Sequence, residues 1–166
     1  MTQTDARFKS NFLLESISKL IQLESIGELL EKEIANLSYR DAKTLDFEAK
    51  NAWRSSPNTA CKYRIISARI YEEKARKIGE RGNSGVHSKE RLDLLKDASF
   101  SYDKAAKNAE LLGDIVSAVR CRIRACRNDN KLHNYYRSIG DFRSAQQVEV
   151  WRQYAIEHIA RLADKI

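Results

Sequence analysis

Arg120, Arg124, Arg127 and Lys131 stand at i, i+4, i+7 and i+11. On an unbroken helix they share an arc of about 60°. Four cations on so narrow an arc form a stripe suited to phosphates or to a carboxylate-rich protein surface. Within the stripe the chain reads Arg127-Asn128-Asp129-Asn130-Lys131-Leu132-His133-Asn134-Tyr135. Here an imidazole suited to proton transfer near neutral pH follows a guanidinium suited to holding phosphate charge, with Asn128 and Tyr135 as supporting polar groups. The same Arg–His spacing recurs at Arg81–His87 and Arg152–His158, but only the middle pair has the polar follower and the tyrosine. Arg122 differs from its basic neighbours. Val116, Val119, Ile123 and Cys126 lie beside the stripe, and Arg122 points into the middle of the apolar arc, so it needs an acid, with Glu149, Asp103 and Glu110 as candidates.

Other site chemistries find no pattern here. The chain has no glycine-rich phosphate loop, no zinc-spaced Cys/His cluster, no His-Glu-x-x-His and no Gly-x-Ser-x-Gly. Cys121 and Cys126 would point about 140° apart on a helix and could not share a metal. No cofactor and no metal is expected. With Cys61 these cysteines make an odd set without a Cys-x-x-Cys pair, which favours a reducing cytosol. Met1–Phe8 lacks the basic segment and apolar core of a signal peptide, and no apolar run approaches the ~20 residues of a membrane span. The expectation is a soluble cytoplasmic protein that does not use a membrane.

These residues need a scaffold, and the composition defines its class. The chain has 166 residues, 42% hydrophobic and 32% charged, with six glycines and one proline. That is too few turn residues for a β-sandwich or a doubly wound sheet, and too apolar for disorder. The net charge of +7 is uneven: −2 over residues 1–50, +5 over 51–100 and +4 over 101–166. A basic surface of this kind is compatible with nucleic acid or an acidic protein.

Apolar spacings of three and four recur through the chain. They predict an amphipathic stretch over 9–37, through Leu13, Ile17, Leu20, Leu23, Ile26, Leu30, Ile34 and Leu37, with a break near Ser25–Glu28. A capping box at Ser38–Asp41 opens a helix over about 40–54. Pro57 stops it, and a further helix covers 59–78. Gly79, Gly82 and Gly85 then mark a loop, and Ser88 caps a helix over 88–112. Gly113-Asp114 and Gly140-Asp141 each pair a left-handed helix stop with an N-cap, predicting tight turns between antiparallel helices. The helix between them is expected to break near Asn128–Asn130. The last runs over 142–164, with Ala145, Val148, Trp151, Ala155, Ile159 and Leu162 inward. The fold expectation is all-α, with five or six antiparallel helices in one domain over 1–166. Within it, 1–56 forms N-terminal helices and 57–166 repeat-like hairpins.

Tyr102, Ala105, Ala106 and Ala109 before Gly113-Asp114, with Ala118 and Ala125 after it, resemble the tetratricopeptide repeat. Leu132, Tyr136, Gly140-Asp141-Phe142 and Ala145 resemble the same unit again. The two turns are 27 residues apart, shorter than that family's period, and the arrangement looks more like the irregular hairpins of soluble attachment proteins. The resemblance implies a non-enzymatic adaptor that takes a peptide or helix in a groove between hairpins. The stripe of Arg120, Arg124, Arg127 and Lys131 would help it grip an acidic partner. The segment 127–135 resembles the Arg-polar-His-x-Tyr motif of HEPN-domain ribonucleases, which are usually dimers. That resemblance implies catalytic Arg127 and His133, with Asn128 and Tyr135 in support. A third reading is a non-catalytic nucleic-acid binder using the stripe. A homodimer is open in each reading.

Overall fold

A computed structural model describes residues 34–82 and 88–166 of the chain. The amphipathic stretch over 9–33, the break near Ser25–Glu28, Gly85 and His87 lie outside the described residues. Among the described residues, helical residues at 34–36 are followed by five helices: α1 (Tyr39–Ala52), α2 (Pro57–Gly79), α3 (Lys89–Leu111), α4 (Ile115–Ser138) and α5 (Phe142–Ala163). No strand occurs among the described residues, and the fold is all-α. Each helix packs chiefly on the one before and the one after it.

The turns explain this succession. Gly113 and Gly140 take φ of 77° and 75°, a region that costs a side chain with a Cβ. At the first turn the Asp114 amide donates to the Ala109 carbonyl at 2.9 Å, and the Gly113 amide to Glu110 at 3.0 Å. At the second the Asp141 amide donates to Tyr136 at 2.9 Å, and Gly140 to Arg137 at 3.2 Å. These are paired Schellman closures. The same aspartates then open the next helix, accepting from the Ser117 amide at 3.0 Å and the Ser144 amide at 3.1 Å. One dipeptide therefore ends one helix and caps another, which forces the chain straight back. The expected capping box at Ser38 and Asp41 and the cap at Ser88 also form.

Three details depart from the sequence expectation. The helices are interrupted at 53–56 as expected, but α2 opens at Pro57 itself rather than at 59, because proline at a helix start loses no hydrogen bond. α4 runs unbroken through Asn128–Asn130, because packing buries Asn128 and Asp129. Trp151, expected inside, is 55% exposed. The boundary at 56 marks no separate core, since Ile34, Ala42 and Leu45 share one cluster with Ile70, Leu95, Leu132 and Val148.

That cluster is built of bulky aliphatics. A second cluster is rich in alanine, with Ala68, Ala105, Ala106, Ala109, Ala118 and Ala125 around Tyr102. Small side chains there let α2, α3 and α4 approach closely. Partly buried carboxylates of α1, α2 and α3 then each tie their helix to two others. Asp46 of α1 accepts from Arg64 (2.8 Å), Ser67 (2.6 Å) and Tyr71 (2.9 Å) of α2, and from Ser101 of α3 (3.0 Å). Glu72 of α2 accepts from Tyr102 of α3 (2.7 Å) and Asn128 of α4 (2.9 Å). Glu110 of α3 holds Arg122 of α4 (2.6 Å) and lies 2.9 Å from His158 of α5. Apolar contacts bring the helices together, and these bonds, each needing its partners in place, fix their register.

Candidate functional site

α3 and α5 stand on either side of α4 and leave a groove between them, a cavity of about 940 Å³. Its floor is one face of α4: Arg122, Ala125, Asp129, Leu132 and Tyr136, at helical spacings of three and four. From α3 come Lys96, Phe100, Asp103 and Lys107, and from α5 come Gln147, Trp151 and Tyr154. Because the helices alternate in direction, the groove runs from Lys96, Tyr136 and Ser144 at one end to Lys107, Arg122 and Tyr154 at the other. Its α3 wall from Lys96 to Lys107 is roughly 16 Å long at 1.5 Å per residue. Phe100 (56%), Trp151 (55%), Tyr154 (60%) and Val150 (58%) all leave more than half their surface exposed. Large aromatic side chains around a cavity are unusual on a surface with no partner to cover them.

Arg122 anchors one end of the floor. It is 3% exposed and is paired as its apolar position requires. Its Nε and Nη2 donate to Glu110 Oε1, and its Nη1 donates to Asp103 Oδ1 at 3.0 Å. Burial pushes the Glu110 carboxyl up, but His158 and Arg122 overcome it and hold the group below its ordinary value. Glu149, the third candidate partner, binds Arg152 at 2.7 Å instead. At mid-floor, Asp129 is 7% exposed and accepts from Ser99 Oγ at 2.6 Å. Burial raises its carboxyl above the ordinary value, against the lowering effect of that bond.

The basic stripe lies elsewhere. Arg120, Arg124, Arg127 and Lys131 are exposed on α4 and none of them lines the groove. At about 100° per residue their mean direction is roughly 150° from that of the floor residues. The stripe therefore faces away from this groove. Arg124 is also partly spent on the fold. It donates to Tyr102 Oη at 3.0 Å and lies 3.8 Å from Glu72. Arg127 and Lys131 make no ion pair among the described residues.

The four residues of the ribonuclease-like motif are not gathered within the chain. Arg127 is exposed, and Asn128 is fully buried and donates to Glu72. His133 faces α5, its Nδ1 3.1 Å from the Ala145 carbonyl. Tyr135 packs edge-on to Tyr136. An unbroken helix turns Arg127 and His133 about 120° apart, so no bend brings them together. Among the described residues no cluster could hold a metal ion, and no helix is long and apolar enough to cross a membrane. The cysteines form no disulfide.

The sequence reading missed the groove. Its α5 wall was hidden because Trp151 fits an inward helical position, and Asp129 looked like part of a helix break. Phe100, one residue from the buried Ser101 and two from Ala98, carried a signal of its own: a large aromatic on the polar side of an amphipathic helix. No protein-family model, curated protein or solved structure matches the chain.

Proposed function

We propose that this protein is a non-enzymatic binding module that holds an amphipathic helix of a partner in the groove between α3 and α5. The observation that carries this reading is the ring of half-exposed aromatics, Phe100, Trp151 and Tyr154, around a cavity of about 940 Å³. A helix fits the chemistry better than an extended peptide. The walls and floor are helices whose mid-helix amides are already spent, so they offer no edge to an extended strand. A helical occupant satisfies its own backbone and presents side chains at i, i+3/i+4 and i+7 to the aromatics. A wall of roughly 16 Å accommodates about three turns of such a helix. This is the tetratricopeptide-like adaptor role, with the groove as its grip and the stripe removed from it.

The reading is tested with a display library of helical peptides about 20 residues long, apolar at i, i+3, i+4 and i+7, selected on the full chain. The expected result is a family of binders that lose tenfold or more in affinity on Trp151→Ala and on Tyr154→Ala. Those binders keep their affinity on Arg127→Glu. A library that yields no binders, or binders indifferent to both aromatic substitutions, removes the groove as the binding site.

A further inference from the structure

Three carboxylates line the groove, and they are not equivalent. Asp97 lies 2.9 Å from the Lys43 ammonium. Asp103 lies 2.8 Å from Lys107 and 3.0 Å from Arg122. Asp129 is the most buried of the three and has no cation within ion-pair distance. One of its oxygens accepts the Ser99 hydroxyl, and the other has no hydrogen-bond partner among the described residues. Arg152 of α5, whose charge reaches Asp129, is held by Glu149 and Asn130. The Asp103 carboxylate adds repulsion.

The free oxygen of Asp129 faces the open groove, so an occupant that covers it without a donor strands its charge, and one that brings a donor satisfies it. Its position says where that would come from. Asp129 sits mid-floor, one turn from Ala125 on one side and Leu132 on the other, in a cavity open to solvent. Phe100 and Trp151 stand on the two walls and offer apolar surface to a side chain passing between them, the Phe100 ring already carrying the Lys104 ammonium 5.3 Å from its centroid. A long apolar stem ending in a positive donor matches this arrangement, with the stem against the aromatics and the head on the carboxylate.

We propose that the groove selects a helix carrying one lysine or arginine on its otherwise apolar face, placed so that its charged head pairs with Asp129. This rests on the groove being a helix-binding site. It adds a specificity-determining residue and states the charge of the partner. Asp129 rewards a cation at one position and penalises a purely apolar face, because that face would cover the carboxylate without satisfying it.

The experiment uses the same peptide scaffold with its central apolar-face position fully randomised, selected on the full chain and on Asp129→Asn. Lysine and arginine are expected to be enriched at that position on the wild-type chain and to lose their enrichment on the variant. A selected lysine peptide is expected to bind Asp129→Asn about tenfold more weakly. Replacing that lysine by methionine is expected to give a similar loss on the unaltered protein, independently of how the variant folds. Peptides that bind, depend on Trp151 and show no preference for a cation overturn the role of Asp129 and leave the groove reading standing. Failure to obtain any peptide that depends on Trp151 overturns the groove reading, and this inference with it.

Discussion

Two sides of α4 carry the same kind of residue in opposite circumstances. On the groove side Arg122 is 3% exposed, and every nitrogen of its guanidinium is committed to Asp103 or Glu110. On the far side Arg127 and Lys131 are exposed and make no ion pair among the described residues. Water solvates the second set at no cost to the fold, whereas it cannot reach the first, so pairing there is obligatory. Arginine content alone therefore says little about a site. The informative residue is the one left without a direct ion pair on the groove side, and on this helix that residue is an acid, Asp129.

The comparison breaks if the two sides respond alike to substitution. Arg122→Ala should have the largest effect, a loss of about 3 kcal/mol in urea unfolding, because Glu110 and Asp103 keep partly buried charges without their partner. Arg127→Ala should stay within about 0.5 kcal/mol. Equal losses would mean that the stripe is structural.

Next in size is the effect on binding. Trp151→Ala should weaken a groove-bound helical peptide by roughly 2 kcal/mol, as for a central aromatic anchor, while thermal unfolding changes little because the side chain is 55% exposed. The triple change Arg120→Glu, Arg127→Glu and Lys131→Glu should leave that affinity unaltered. A matching loss would show that one occupant touches both sides of α4 and would undo their separation.

Gly113→Ala and Gly140→Ala should each cost about 1 kcal/mol, since both glycines hold positive φ with open space around them. Similar losses would confirm that the two turns do equivalent mechanical work.

The smallest effect sharpens the role of Asp129. Burial raises its carboxyl in the folded chain, so the folded state takes up a proton at higher pH than the unfolded state. Between the unfolded value, 3.8, and the raised folded value, stability contributed by this group falls as pH rises. Asp129→Asn should therefore unfold at slightly higher urea than the parent at pH 7. The difference should shrink as pH falls through that window. A residue that destabilises the free chain and strengthens peptide binding is kept for binding, and an Asn variant with lower stability at pH 7 would argue otherwise. On the same scale of expectation, His133→Ala should leave RNA incubated with the protein no different from RNA incubated with the parent chain. A change in products would restore the Arg127–His133 pair, acting between two copies.

Much of the architecture was legible because it is local. The two Gly-Asp turns were readable from two residues each, since a left-handed stop and an N-cap are properties of the backbone and one side chain. The capping box at Ser38 and the cap at Ser88 follow the same logic. Arg122 was readable as a paired residue because its position among apolar neighbours excludes water whatever its partner, but the choice of Asp103 and Glu110 over Glu149 was not. Trp151 was misplaced for the opposite reason. Helical periodicity says which side of α5 is apolar, not whether a neighbour covers it.

For the described residues the sequence by itself determined the all-α class, most helix limits to within a few residues and the reversals between helices, because these depend on contacts between residues near one another in the chain. Only the tertiary structure decided which apolar sides are filled. α3 and α5 both lean on α4 and leave a groove between them, and that gap depends on helix spacings set by alanines and by partly buried carboxylates of α1, α2 and α3. The same packing turned the basic stripe away from the groove and placed a carboxylate without a counter-ion on its floor. No one segment encodes that arrangement, because it arises where three of them meet.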